Sequence, residues 1–372
     1  MGTVGARGEA VPMSSEGAVI VVAQLVAGVA ALVVGAEVLV RGAAGLAARL
    51  GISPLVIGLT VVAIGTSSPE LAVTAAAAVT GAGDLAVGNV VGSNIFNVLF
   101  ILGLSAAITP LLVARQLLRF DVPVMLVASL LLVATAWNGR VARWEGAILL
   151  ALAVVYTVVL VRTGRRDGAH GGLTAPAGRL DAPSVQALMV AGGLVLLVLG
   201  SRWLLKAAVA IAGALGLSEL IIGLTVVAAG TSLPEVAASV VAGLRGQRDI
   251  AVGNVVGSSI FNILGVLGIG AVAAPSGLAV APAALRFDIP VMIAVALACV
   301  PVFLTQRLIS RAEGWLLLSY YLAYTLFLVL DAQGHDAARL FGRAMLAFVL
   351  PITAIGLAAL AVRSLRRDRA RA

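Results

Sequence analysis

Residues 58–97 read GLTVVAIGTSSPELAVTAAAAVTGAGDLAVGNVVGSNIFN, and residues 223–262 read GLTVVAAGTSLPEVAASVVAGLRGQRDIAVGNVVGSSIFN. Laid over one another without a gap, at an offset of 165, the stretches agree at 26 of 40 positions. Alanine- and valine-rich sequence can match itself by chance; GTSxPE and GNVVGSxIFN are too varied for that. A repeat of this kind decides the fold before anything else is read. Each copy carries one glutamate, Glu70 and Glu235, in the middle of a long apolar run.

The 372 residues are 61% hydrophobic and 11% charged, with a mean hydropathy of +1.11. A soluble domain is about one quarter charged, so this is the composition of a polytopic membrane protein. The formal charge of +8 does not point to nucleic acid, because the arginines fall in short loops between apolar runs. A single cysteine, Cys299, excludes an intramolecular disulfide and any multi-cysteine metal site. His170 and His335 lie in polar loops, which argues against a histidine metal centre. No secretory signal is expected: the start is polar to about Glu16 and then enters a full-length span.

A crossing helix takes about 20 apolar residues. That rule places helices near 17–43, 52–80, 86–112, 121–138, 143–162, 184–212, 218–244, 251–274, 287–304 and 313–331, with an eleventh near 341–362. The expected fold is an all-α polytopic membrane protein. A polar tail (1–16) leads into a five-helix half (17–162), a Gly- and Pro-containing cytoplasmic linker (163–183) and a second five-helix half (184–331). An extra transmembrane helix with a basic tail (332–372) follows. Five spans separate equivalent points of the repeats. An odd number turns the second half over relative to the first, giving the inverted-topology repeat of many secondary transporters. Weaker matches extend it: RFDVP at 119–123 recurs as RFDIP at 286–290, and Arg143, Glu145 and Gly146 recur as Arg311, Glu313 and Gly314.

With the N-terminus outside, 17 of the 25 Lys and Arg residues face the cytoplasm; the opposite orientation leaves 8 there. The expectation is an N-out, C-in protein of the cell membrane, which requires the eleventh span. Arginine outnumbers lysine 24 to 1, the bias of a GC-rich prokaryote.

Within each repeat, Pro69 and Pro234 lack an N–H and clash with the carbonyl four residues back, at Gly65 and Gly230. The resulting Gly-Thr-Ser-x-Pro break is costly against lipid but supplies cation ligands where it lines a cavity. Thr66, Ser67, Thr231 and Ser232 add hydroxyls. Glu70 and Glu235 follow one turn later, four residues from the threonines, so hydroxyl and carboxylate are expected to share one helix face. An ionised carboxylate at mid-bilayer costs at least about 2.5–3.5 kcal/mol, and an intramembrane Glu is functional by default. Two at corresponding positions suggest one shared site compensated by a cation. Carboxylate, hydroxyl, carbonyl and amide oxygens suit hard cations such as Ca²⁺ or Na⁺. The next helix of each repeat brings Ser93 and Asn97, and Ser258 and Asn262, each pair on one helix face.

Other polar positions have structural readings. Gly88 and Gly92, and Gly253 and Gly257, have the small-xxx-small spacing of helix packing. A single Ser or Thr in a spanning helix usually bonds its own i−4 carbonyl. Asp121 and Asp288, two residues before Pro, read as helix N-caps, with gating beside Arg119 and Arg286 as the alternative. Glu37 and Arg41 read as an ion pair or as snorkelling side chains, and Glu219 as a first-turn residue beside Ser218.

GTSSPE and GTSLPE, each followed by GNVVGSxIFN, resemble the sodium/calcium exchanger branch of the calcium/cation antiporter superfamily, in its prokaryotic type. The resemblance covers about residues 17–331 and matches both halves. It implies Glu70 and Glu235 as central Ca²⁺ ligands that also serve Na⁺. Thr66, Ser67, Thr231 and Ser232, with the Ala63 and Ala228 carbonyls, would form flanking Na⁺ sites, and Ser93, Asn97, Ser258 and Asn262 would complete the shells. It further implies that the first helix of each half (17–43 and 184–212) moves past a fixed core. Some members of the family have Asp where this chain has Asn97 or Asn262. With Asn at both, the core offers two formal negative charges, enough for one Ca²⁺ or two Na⁺.

The leading expectation is an antiporter that expels Ca²⁺ by letting Na⁺ in, with no resident cofactor and with the lipid bilayer and the ions as partners. A buried carboxyl group can also carry a proton, so a Ca²⁺/H⁺ antiporter, or a K⁺-dependent one, is the alternative. An intramembrane hydrolase using the two glutamates as an acid–base pair would need a water-filled substrate groove, and neither the Thr-Ser breaks nor the paired asparagines serve that chemistry. No enzymatic role is expected.

Overall fold

The computed structural model describes residues 15–168, 182–214, 228–305, 307–335, 337–356, 359–360 and 362. Helix α1 (Ser15–Leu50) opens the first half. Helices α2 (Pro54–Thr66) and α3 (Ser68–Val79) meet at a bend of 46°, and α4 (Gly83–Ile108), α5 (Leu117–Ala136) and α6 (Arg143–Gly168) follow. The second half repeats the order with α7 (Pro183–Ala214), the short α8 (Ala228–Gly230), α9 (Leu233–Leu244), α10 (Arg248–Ala273), α11 (Ala284–Leu304) and α12 (Arg311–Ala332). Helix α13 (Ala337–Gly356) comes last. Among the described residues, nine helices are long and apolar enough to cross a membrane, and the bent α2–α3 pair makes a tenth. The start of the expected 218–244 span, with Glu219, lies outside the described residues, as do most of the 163–183 linker and the basic tail.

Two short antiparallel ladders record the inversion. Strand β1 (Leu111–Leu112), after α4, pairs with β4 (Leu308–Ile309), after α11. Strand β2 (Arg140–Val141), after α5, pairs with β3 (Leu278–Ala279), after α10. Span counting puts the first two loops on one face of the membrane and the other two on the opposite face. The hydrogen bonds join only loops of the same face.

Helices α4 and α10 are the most enclosed spans, whereas α1 and α7 lie on the outside of the bundle and pack on each other along much of their length. Their seam is built from glycines seven residues apart. A Cβ on Gly35 would lie 3.0 Å from the Gly193 carbonyl oxygen and one on Gly193 2.8 Å from that of Gly35; Gly28 and Gly200 meet in the same way. Only glycine permits so close an approach of two backbones. The packing reading also holds for Gly253 and Gly257, whose Cβ atoms would meet the Leu55 and Leu59 carbonyls at 2.9 and 2.6 Å. Cβ atoms on Gly88 and Gly92 would meet nothing within 4 Å among the described residues.

The expected N-caps at Asp121 and Asp288 are not formed. Helices α5 and α11 begin earlier, with π-helical turns over Leu117–Asp121 and Ala284–Asp288, so both aspartates already have helical dihedrals. Each instead accepts a hydrogen bond at 2.9 Å from a tyrosine of the next helix, Asp121 from Tyr156 and Asp288 from Tyr324. The eleventh helix begins at Ala337, earlier than the expected 341, and packs on α12 through Tyr320, whose hydroxyl reaches Thr353 and the Val349 carbonyl.

Candidate functional site

The Gly-Thr-Ser-x-Pro break forms in both halves. Ser67 (φ −76°, ψ 9°) and Ser232 (φ −90°, ψ 10°) leave the helical path, and a new helix starts with the proline in its first turn, where a missing N–H costs nothing. Glu70 and Glu235 therefore sit in the first turn of α3 and α9. Free backbone N–H groups and the positive end of the helix dipole favour a carboxylate there. Both side chains are buried, at 0% and 1% exposure.

The break also redirects the hydroxyls. Instead of serving the glutamate of its own repeat, Ser67 donates to Glu235 Oε1 at 3.0 Å, and Ser232 donates to Glu70 Oε1 at 2.6 Å. Each glutamate is held by the serine of the opposite half. The Ser232 hydroxyl also reaches Ser93 Oγ at 3.5 Å. Thr66 donates to Asn254 Oδ1 at 3.1 Å. The Ala63 carbonyl accepts from the Ser67 N–H at 3.1 Å and from the Thr66 and Ser258 hydroxyls at 3.4 Å. Thr231 is buried, with its hydroxyl beside the Glu70 carboxyl group. Ala228 begins α8; its side-chain surroundings lie outside the described residues.

Four acceptor oxygens of this cluster are buried without a hydrogen-bond partner among the described residues: Glu70 Oε2, Glu235 Oε2, Asn97 Oδ1 and Asn262 Oδ1. Leaving such a group unpaired in an apolar interior costs free energy, more so for a charged one. Two carboxylate and two amide oxygens, all acceptors, suit a hard cation. Among the described residues, no group of three or more His, Cys, Asp or Glu could hold a metal, so the cluster is not a conventional acidic metal cage. Asn97 and Asn262 also open π-helical turns, Asn97–Leu102 and Asn262–Leu267. Such turns occur disproportionately at functional sites.

A supporting layer is formed by Asn89 and Asn254, which the sequence places on the next helix of each repeat without fixing their role. Asn89 Nδ2 donates to the Glu70 carbonyl (3.2 Å) and to Thr74 Oγ1 (3.0 Å). Asn254 Nδ2 does the same to the Glu235 carbonyl (3.4 Å) and Ser239 Oγ (2.9 Å). These amides tie each glutamate-bearing helix to the following one. The signal was present: Asn89 and Asn254 match across the repeat, and a hydroxyl follows each glutamate by four residues.

The chain matches the family described as "Sodium/calcium exchanger protein" over residues 20–162 and 185–330. Those ranges are its two five-helix halves, without the linker or the last helix. It is 41% identical to the putative antiporter CaxA of Alkalimonas amylolytica over 76% of this chain and 90% of that one. It is 32% identical to the sodium/calcium exchanger MaX1 of Methanosarcina acetivorans, over 76% and 91%. Among solved structures, the sodium-calcium exchanger NCX_Mj soaked with Na⁺ and Ca²⁺ superposes with a TM-score of 0.71 at 30% identity, covering 82% of this chain and 97% of that one. The chain belongs to the sodium/calcium exchanger family of the calcium/cation antiporter superfamily, as a multi-pass membrane protein.

Proposed function

We propose that this protein exchanges Na⁺ for Ca²⁺ at one mid-membrane site shared by Glu70 and Glu235, with its N-terminus outside and its C-terminus in the cytoplasm. The observation that carries the reading is the crossed pair of hydrogen bonds, Ser67 to Glu235 and Ser232 to Glu70. They bind the two carboxylates into one unit and use one oxygen of each, so the second oxygens remain for a cation. The two negative charges balance one Ca²⁺ or two Na⁺, and the ions therefore compete. Asn97 and Asn262 supply neutral oxygens, and Thr66, Thr231, Ser93 and Ser258, with the Ala63 and Ala228 carbonyls, line the flanks.

Exchange rather than leak follows from electrostatics. Two ionised carboxylates side by side without a cation repel each other across a medium of low dielectric, so the empty site is costly to enclose. A loaded site is neutral and can be enclosed and exposed to the other face. Helices α1 and α7, joined along their glycine seam, are the elements suited to move against the α4–α10 core.

Vesicles loaded with Na⁺ should take up ⁴⁵Ca²⁺ at fixed pH, and K⁺-loaded vesicles should not. Uptake driven by a pH gradient and indifferent to Na⁺ would assign the protein to proton coupling instead.

A further inference from the structure

Within the ten residues of GNVVGSxIFN, the two repeats differ at one position, Asn94 in the first and Ser259 in the second. Both are buried, and they meet: Asn94 Nδ2 donates to the Ser259 backbone carbonyl at 3.1 Å, with Met292 Sδ at 3.7 Å on the same nitrogen. A carbonyl oxygen can only accept, so this contact fixes which end of the Asn94 amide is nitrogen. The opposite end, Asn94 Oδ1, can only accept, and it takes a hydrogen bond from Asn262 Nδ2 at 3.2 Å. The Asn262 amide is thereby fixed as well, and its Oδ1 becomes one of the four buried acceptors without a partner. Asn97, the counterpart of Asn262, has no such restraint among the described residues. Ser259 stands where Asn94 does in the first repeat, and its hydroxyl is turned to its own Val255 carbonyl at 2.9 Å.

We infer that Asn94 is a positioning residue that locks the Asn262 amide with its oxygen available to the cation. The two pseudo-equivalent asparagines are then different ligands. Asn262 is a committed acceptor, while Asn97 can rotate and present either oxygen or NH₂. An NH₂ group carries partial positive charge and cannot ligate a cation, so an unlocked amide is a ligand for only part of the time. The inference rests on the shared-glutamate site proposed above.

The test is the dependence of ⁴⁵Ca²⁺ uptake on Ca²⁺ concentration in Na⁺-loaded proteoliposomes. Asn94→Ser, which gives the first repeat the residue of the second, should raise the KM for Ca²⁺ by about tenfold, the order of one lost hydrogen bond in the bound state. The maximal rate should change less than the KM. In an Asn262→Ala background, Asn94→Ser should add nothing, because the amide it locks is gone. Equal losses in both backgrounds, or a fall in maximal rate at unchanged KM, would overturn the assignment and leave Asn94 a packing residue. Should Asn94→Ser fold poorly, the exchanged pair Asn94→Ser with Ser259→Asn keeps an amide at the axis. It should pass the KM sensitivity from Asn262 to Asn97, and sensitivity remaining at Asn262 would equally overturn the proposal. Glu70→Gln is the separating control. If that variant transports normally, the site itself is wrong; if it is inactive while Asn94→Ser keeps its KM, only the inference about Asn94 fails.

Discussion

At the centre of the molecule the two halves are near copies. Glu70 and Glu235 each follow a Ser-x-Pro break, each accepts from the serine of the other half, and each has its carbonyl clamped by an asparagine of the following helix. At the rim they part. Glu37 on α1 accepts from Arg41 one turn on and, at 2.6 Å, from Arg245 beyond the end of α9. The same three positions of the inverted corner hold Arg202, Lys206 and Thr80, with no carboxylate among them. Under the exchange proposed above, one ion would reach the site from either face, which would constrain both repeats alike at the centre. At the rim the outer helix α1 is tied to the core at one face by ion pairs that its counterpart α7 does not make among the described residues.

Neutralising either central carboxylate is the most severe way to break the symmetric half of this comparison. Glu70→Gln and Glu235→Gln should each reduce Na⁺-driven Ca²⁺ uptake by at least about a hundredfold, since removing one partner from a buried charged constellation costs about 3–5 kcal/mol. The two losses should be alike. A variant retaining half the activity would mean that the glutamates serve separate sites.

The crossed serines sharpen the point. Ser67→Ala should weaken Ca²⁺ affinity by about tenfold, as expected for one hydrogen bond to a charged group. In a double-mutant cycle on thermal stability, which does not require Ca²⁺ to bind, Ser67→Ala should couple to Glu235→Gln and not to Glu70→Gln. Ser232→Ala should show the mirror pattern. Coupling within one repeat instead of across the two would contradict the geometry.

Much of this was legible in the residues, and what was not has a physical cause. The spans follow from the apolar runs a chain must carry to lie in lipid, and the repeat, the inversion and the glutamates stand out as polar motifs recurring at a fixed offset against that background. The pairing of hydroxyl with carboxylate did not follow from spacing. An i, i+4 rule assumes an unbroken helix, and the Ser67 and Ser232 breaks rotate the hydroxyl away from the glutamate four residues on. Asp121 misled for a similar reason: an Asp before Val-Pro looks like a cap, but the π-helical turn ahead of it extends α5 toward its N-terminus and leaves the side chain to Tyr156. The heptad of glycines on α1 and α7 could have been read from Gly28, Gly35, Gly193 and Gly200 in corresponding places. That these helices meet each other was a tertiary fact.

The glycine seam gives a moderate effect. Gly35→Leu places a side chain where a Cβ already stands 3.0 Å from the Gly193 carbonyl. Overpacking of about 1–3 kcal/mol should follow, read as a loss of thermal stability larger than that of Gly192→Leu, one residue off the seam, where a Cβ meets nothing within 4 Å. The smallest effect belongs to the asymmetric rim. Glu37→Gln should change the exchange rate by no more than about fivefold, since partly exposed ion pairs contribute about 1 kcal/mol or less. The change should shrink at high ionic strength, and Arg202→Gln at the opposite corner should do less. Equal effects at both corners would erase the distinction between them.

The central claim is that two repeats build one cation site. Equilibrium ⁴⁵Ca²⁺ binding to the purified protein, with Na⁺ as competitor, tests it most directly. The account predicts one Ca²⁺ per chain, displaced by Na⁺, and lost in both Glu70→Gln and Glu235→Gln. Two Ca²⁺ per chain, with one surviving in each variant, would contradict it.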